Sequence, residues 1–142
     1  MRTFAALLAV AALTAGTAEA ATHEVRMLNR GEAGAMVFEP AFVKAEPGDE
    51  IVFVSTDKGH NAESIEGMLP AGVAAFKSKL GDDFTLTVTE DGVYGIKCTP
   101  HYAMGMVALI QVGEAGNADE AKAVPHRGKA AQVFDGLFGQ VQ

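Results

Sequence analysis

The sequence contains only one cysteine, Cys98, so the chain cannot form an internal disulfide. Beyond a short run at its start, no stretch approaches the roughly 20 apolar residues that a membrane-spanning helix needs. Basic residues are also few, and the net charge of −7 argues against nucleic acid or an anionic membrane as a general partner. We therefore expect no membrane insertion, no nucleic-acid binding and no stabilisation by disulfides.

The first twenty residues have the pattern of an export signal. Arg2 supplies a positive start, Phe4 to Leu13 form a short apolar run, and Ala18-Glu19-Ala20 is a small-residue cleavage site. The prediction is a signal peptide over 1–20, a mature chain beginning near Ala21 and a periplasmic location. Small exported proteins often contain paired cysteines, because the compartment is oxidising. The unpaired Cys98 thiol therefore needs protection from oxidation there.

The remaining 142 − 20 = 122 residues can close one hydrophobic core, so we predict a single domain over 21–142. Short apolar or alternating segments separated by turn residues are typical of an all-β sandwich or barrel. In the predicted strand Val93 to Cys98, the side chains of Tyr94, Ile96 and Cys98 share a face, so Cys98 should point inward from the strand end. The predicted strands are Glu24 to Leu28, Met36 to Phe38, Phe42 to Ala45, Glu50 to Thr56, Phe84 to Thr89, Val93 to Cys98 and Met106 to Val112.

The segments outside these strands have other patterns. Asp57 to Asp83 is irregular and predicts loop mixed with a short helical turn. From about residue 117, Asn117 and Glu120 have the spacing of a helix cap, and Pro125 should end that helix. A second helix is indicated by Ala130, Val133, Phe134 and Leu137, which recur at the spacing of a buried helical stripe.

The segment Lys97 to Met106 places a thiol, an imidazole and two thioethers between two predicted strand ends. Pro100 stiffens this turn, and Gly105 permits backbone geometry that would crowd a Cβ. A thiolate, two neutral imidazoles and a weak axial thioether form a ligand set that suits copper. The loop therefore predicts a copper site to which Cys98 and His101 contribute.

The second imidazole must come from elsewhere in the chain. His60 is the best placed, because it closely follows the predicted strand Glu50 to Thr56, whereas His23 lies near the start of the first strand and His126 in the tail. For the axial thioether, spacing alone does not decide between Met104 and Met106.

Gly59-His60-Asn61 followed far downstream by Cys98 to Met106 resembles the cupredoxin family of blue-copper proteins, and within it the pseudoazurin branch. The resemblance covers essentially the whole mature chain. It implies a Greek-key β-sandwich of about eight strands with two short C-terminal helices, and one copper ion cycling between Cu(I) and Cu(II). The implied ligands are His60, Cys98, His101 and Met106, with Met106 as the long axial one.

The resemblance also implies supporting residues. Asn61 would donate its backbone N–H to the Cys98 sulfur and tie the two ligand loops together, while Pro100 has no N–H and cannot supply a second such bond. Met36 would lean on the His101 ring, and Met104 would lie exposed beside Pro100 and Ala103, so both are candidate docking residues. The alternative for each methionine is simple packing. A lysine ring including Lys58, Lys77 and Lys97 would steer an acidic partner. The alternative is that each of these lysines is a solvated residue that only adds solubility.

The function that the resemblance implies is one-electron transport by a monomer, with no catalytic residues of its own. The acceptor would be a periplasmic nitrite reductase in denitrification, and the donor a c-type cytochrome or the respiratory chain. The alternative is a periplasmic copper-binding or copper-delivery protein, which would need a more open site. An enzyme is disfavoured because catalytic Cys and His are normally distant in sequence, and four histidines are too few for a multicopper oxidase.

Overall fold

A computed structural model describes residues 16–142. The first fifteen residues of the predicted signal peptide lie outside the described residues, so the signal, its cleavage and the domain start at Ala21 stay predictions. Within the described residues, no helix has the length and apolarity needed to cross a membrane.

Eight strands form two four-stranded sheets, which confirms the predicted all-β sandwich. One sheet has the order β2-β1-β4-β6 and the other β3-β8-β7-β5, so the chain crosses repeatedly between the two. The strands are β1 (Thr22–Gly31), β2 (Gly34–Glu39), β3 (Phe42–Ala45), β4 (Glu50–Val54), β5 (Glu63–Ser64), β6 (Phe84–Thr87), β7 (Gly92–Lys97) and β8 (Val107–Val112).

The main core lies between the two sheets, where alternate residues of facing strands meet. Phe53 of β4 packs edge-on against Phe38 of β2, with ring centroids 5.6 Å apart. Tyr94 and Ile96 of β7 enter the same cluster, and Cys98 continues their face beyond the strand end. The period of two in this strand therefore predicted the inward direction of Cys98 correctly.

Two short helices, α1 (Ala118–Lys122) and α2 (Ala130–Phe138), cover the outer face of the β7–β8 pair. Phe134 and Leu137 of α2 pack in a second apolar cluster with Val107 and Leu109 of β8. Every residue of β8 is buried: Ala108, Ile110 and Val112 against the other sheet, and Val107 and Leu109 against the helices. Gln111, the sixth, donates to the carbonyl groups of Gly113 and Gln142.

Three local predictions were wrong. The irregular segment contains no helical turn among its residues 57–83, but supplies the two-residue edge strand β5, paired with β7. Asn117 makes no side-chain cap on α1, because its amide exchanges two hydrogen bonds with the backbone of Val93. Helix α1 also ends at Lys122, before Pro125 is reached.

Candidate metal centre

The loop between β7 and β8 is closed by its own backbone. The Cys98 N–H donates to the Met106 carbonyl at 3.0 Å, and a single 3-10 turn, Tyr102–Met104, fills the space between. Gly105 ends that turn with φ +89°, a left-handed conformation that residues with a Cβ rarely adopt. Cys98 and His101 therefore lie at the inner side of one tight loop.

His60 reaches the same point from the connection between β4 and β5, after Gly59 with φ +87°. Its Nδ1 lies 3.1 Å from His101 Nδ1, and the Cys98 Sγ is 3.7 Å from His60 Nδ1 and 3.6 Å from His101 Nδ1. His60 and Cys98 are fully buried, whereas His101 is half-buried.

These separations fit three ligands of one metal ion. Bonds of about 2.3 Å to sulfur and about 2.0 Å to nitrogen place two ligand atoms of one ion roughly 3–4 Å apart. Among the residues that the structure describes, this is the one group of at least three His, Cys, Asp or Glu side chains close enough to share an ion. One thiolate with two imidazoles is a donor set that copper favours.

Asn29 fixes the tautomer of His60. The His60 Nε2–H donates to the Asn29 side-chain oxygen at 2.8 Å, which leaves the Nδ1 lone pair directed at the centre. Asn29 is itself held, because its backbone N–H donates to the Asp57 carboxylate at 2.7 Å. Asn29 could not be predicted from the sequence, since one asparagine 31 residues before His60 belongs to no motif.

Asn61 connects the two ligand-bearing loops. Its side-chain oxygen accepts the Thr99 N–H and its amide donates to the Thr99 hydroxyl, both at 2.8 Å. The Thr99 hydroxyl in turn donates to Glu63 of β5 at 2.6 Å. Neither Thr99 nor Glu63 could be assigned this role from sequence, because the two residues are 36 positions apart.

Burial favours the neutral forms of Cys98 and His60. Burial raises the pKa of the Cys98 thiol, although the backbone N–H groups of Asn61 and His101 act in the opposite direction. Burial, and secondarily the neighbouring His101, lowers the pKa of His60. A neutral imidazole can bind a metal at once, whereas the thiol must lose its proton as the metal enters.

The structure separates the two candidate axial thioethers. Met106 is fully buried in the same cluster as Cys98, whereas the side chain of Met104 is 48% exposed. Pro100 and Ala103 are exposed close to Met104 in the loop. Met36 is half-buried in β2 with φ +53° and packs against the main core.

The lysines are placed less uniformly than a ring implies. Lys58 and Lys77 are exposed, and Lys58 donates to the Gly81 carbonyl at 3.2 Å. Lys97 is half-buried, with its Nζ 5.2 Å from the centre of the Tyr102 ring. Glu63 lies opposite both Lys77 and Lys97 in the strand register, so an acidic side chain stands among them.

The other two histidines are occupied elsewhere. His23 pairs with Asp49 at 2.8 Å, and His126 stacks on Phe134 with ring centroids 4.4 Å apart. The His126 Nδ1 is 2.5 Å from the Tyr102 hydroxyl. Neither histidine belongs to the group formed by His60, Cys98 and His101.

Comparisons with known proteins agree with this geometry. Residues 25–113 match the family described as copper binding proteins, plastocyanin/azurin family. Pseudoazurin from Paracoccus pantotrophus is 60% identical over 96% of this chain and 92% of its own length. Pseudoazurin from Methylorubrum extorquens is 48% identical over 97% of this chain and 94% of its own length.

The fold is also similar to solved structures of pseudoazurins. The crystal structure of pseudoazurin from Methylobacterium extorquens AM1 superposes with a TM-score of 0.83 at 48% identity, covering 85% of this chain and 99% of the other. Native pseudoazurin from Hyphomicrobium denitrificans gives 0.82 at 44% identity, covering 85% and 98%.

Replacing Asn29 by alanine should weaken copper binding by about 10–100-fold, the usual effect of removing a partner that orients a ligand histidine. The measurement is competition with a chelator of known copper affinity. Arg30→Ala changes the next position of β1, which is also exposed, so it is the matched control and should bind as the unmodified chain does. Equal affinities for both variants would contradict the role assigned to Asn29.

Proposed function

Because this chain belongs to the plastocyanin/azurin family of copper-binding proteins, and within it to the pseudoazurins, we propose that it carries electrons in the periplasm with copper held by His60, Cys98, His101 and Met106. The family establishes the coarser statement: the chain is a copper-dependent electron carrier and not an enzyme. The observation that supports the ligand assignment is the convergence of three donor atoms from two loops beside a fully buried Met106.

When bound, copper supplies the one-electron couple between Cu(I) and Cu(II). The protein's contribution is to hold the donors in one arrangement for both oxidation states. Asn29 accepts a hydrogen bond that orients the ring of His60, and Asn61 connects the loop of His60 to the loop of Cys98. The backbone hydrogen bond from Cys98 to Met106 closes the second of these loops. A set of ligands fixed in this way moves little between the two states, which favours fast electron transfer.

His101 provides the route between the centre and the surface. It is the half-buried member of the group, while His60, Cys98 and Met106 are fully buried. Around it, Pro100, Ala103 and Met104 are exposed and form a small apolar patch. Transient redox complexes use small interfaces, typically below about 1,200 Å² in total, so a small patch of this kind suits a short-lived encounter.

The proposed acceptor is a periplasmic nitrite reductase, and the proposed donor a c-type cytochrome or the respiratory chain. The likeness to pseudoazurins supports this assignment, as does the predicted signal peptide, and a monomer suits a diffusing shuttle. Lys58, Lys77 and Lys97 would steer an acidic partner toward the patch despite the net charge of −7. Their effect should be local, because Glu63 partly offsets two of them.

Copper delivery is less well supported than electron transfer. A delivery protein must release its metal, which requires ligands that water or a partner can reach. Three of the four proposed ligands have no exposed surface, and the fourth is half-buried. The enclosed site is therefore suited to keeping copper during many turnovers.

Met106→Leu should raise the reduction potential, because removing a weak thioether donor destabilises Cu(II) relative to Cu(I). The change conserves volume and should cost less than about 1.5 kcal/mol in stability. Met104→Leu is the matched control, since Met104 is exposed, and should leave the potential unchanged. Cyclic voltammetry of both variants measures the reduction potential. A potential that changes in Met104→Leu and not in Met106→Leu would reverse the axial assignment.

Replacing Lys58, Lys77 and Lys97 together by glutamine should slow electron transfer to nitrite reductase by roughly tenfold or more at low ionic strength, with an unchanged copper spectrum. The reason is lost electrostatic attraction, so the difference should shrink as salt is added. Stopped-flow kinetics at several salt concentrations measures it.

A matched pair of double variants separates local charge from net charge. Lys58→Gln/Lys77→Gln removes two charges near the site, and Lys44→Gln/Lys122→Gln removes two from β3 and α1, outside the loops that contain His60, Cys98 and His101. The first pair should slow the reaction and the second should not. Equal rates for the triple variant and the unmodified chain at low salt would refute the docking role.

A further inference from the structure

The carboxylate of Asp49 holds two nitrogen groups at the start of β1. One oxygen accepts the Ala21 N–H at 2.9 Å, and the other is 2.8 Å from Nε2 of His23. The Asp49 side chain is 8% exposed, and the Glu46 N–H donates to it as well at 3.0 Å. Backbone hydrogen bonding at Glu46, then His23 and Ala21, lowers the pKa of Asp49 to about 2, so the group is a carboxylate at neutral pH.

The predicted signal cleavage changes the chemistry of Ala21. Cleavage after Ala20 turns its amide nitrogen into an α-amino group, and the mature chain then begins Ala21-Thr22-His23. A free amine followed by two peptide nitrogens and a histidine in third position can chelate one ion through four nitrogens, closing rings of five, five and six atoms. Cu(II) and Ni(II) favour such square-planar nitrogen sets.

The contacts of the His23 ring leave accessible the nitrogen that this chelate needs. Its Nε2 is taken by Asp49, and within residues 16–142 no hydrogen bond engages its Nδ1, the ring nitrogen that closes the six-membered ring. A metal-bound histidine commonly donates its other N–H to a carboxylate. The two groups that Asp49 contacts here, the Ala21 nitrogen and the His23 ring, are the two outer ligands of the proposed chelate.

We propose that the mature N-terminus is a second metal site, which binds Cu(II) or Ni(II) through the Ala21 amine, the amide nitrogens of Thr22 and His23, and Nδ1 of His23. Binding releases two amide protons to solvent, together with the ammonium proton where the amine is charged. No electron is transferred. The inference rests on the signal cleavage that belongs to the proposed function.

This site is separate from the one formed by His60, Cys98 and His101. His23 lies near the start of β1, and Asn29, the partner of His60, lies six residues further along the strand, a span of about 20 Å. Chelation requires residues 21–23 to turn away from β4. Strands β1 and β4 pair in parallel from Thr22 and Glu50 to Arg26 and Val54. Chelation disrupts only the hydrogen bonds at the first end of this pairing.

The test uses the full chain exported with its own leader and purified with one copper bound. Intact-mass spectrometry should give a chain that begins at Ala21. One further equivalent of Cu(II) should then add an electron paramagnetic resonance signal with nitrogen hyperfine structure, while the blue absorption stays unchanged. Ni(II) added instead should give the absorption of a square-planar complex with the same stoichiometry.

Three variants test the ligands. His23→Ala removes the imidazole and Thr22→Pro removes an ionisable amide N–H, so each should weaken binding of the second ion at least 100-fold. Thr22→Ala keeps every donor and should bind as the unmodified chain does. Retained blue absorption in all three reports that the fold is intact.

The outcomes are distinct from those for electron transfer. A mature chain that begins elsewhere than Ala21, or a second ion bound equally well by the Thr22→Pro variant, overturns this inference and leaves the blue centre as it is. A colourless copper protein with a normal second site would instead overturn the proposed function. Binding that is lost in His23→Ala and Thr22→Pro and kept in Thr22→Ala supports the N-terminal site.

Discussion

The pairing of β7 with β8 is the constraint on which the centre depends. The two strands pair along their whole length up to Lys97 and Val107, and the Cys98 N–H extends the pairing to the Met106 carbonyl. Cys98 and Met106 are thus brought side by side, and the residues between them must form a tight loop. His101 lies within that loop, where its N–H donates to Cys98 and its carbonyl accepts from Met106.

The C-terminal helices support this loop from outside. The Lys129 N–H, just before α2, donates to the Ala103 carbonyl at 2.9 Å, and Gly128 passes so close that a Cβ there would lie 2.4 Å from that oxygen. A Cβ on Gly105 would likewise lie 3.0 Å from the side chain of Val133 in α2. The C-terminal helices therefore limit the motion of the loop that contains His101. Their packing contributes in this way to the rigid set of ligands that electron transfer needs.

Much of this arrangement could be predicted from local patterns. The alternation Tyr94, Ile96, Cys98 placed the thiol in the core, and the α2 stripe identified the buried face that contains Phe134 and Leu137. Spacing could not separate Met104 from Met106, because side-chain direction inside a short loop depends on backbone bonds across it. Burial distinguishes them, since Met104 is exposed and Met106 is not.

What escaped prediction depends on partners distant in sequence. Asn29 acts on His60 across 31 residues, and Thr99 meets Glu63 across 36, so no local pattern marks either pair. Strand β5 has two residues and no alternation to detect. Asn117 has the spacing of a helix cap but pairs with Val93, because a strand edge offered its amide both a donor and an acceptor.

The central claim is that Cys98 binds copper as a thiolate in an enclosed site. Its most direct test is the visible absorption spectrum of the copper-loaded chain beside that of Cys98→Ser. The account predicts an intense copper–thiolate band in the unmodified chain that is absent from the variant, with the far-ultraviolet circular dichroism of both the same. A band that persists in Cys98→Ser, or an unmodified copper protein without colour, would contradict it.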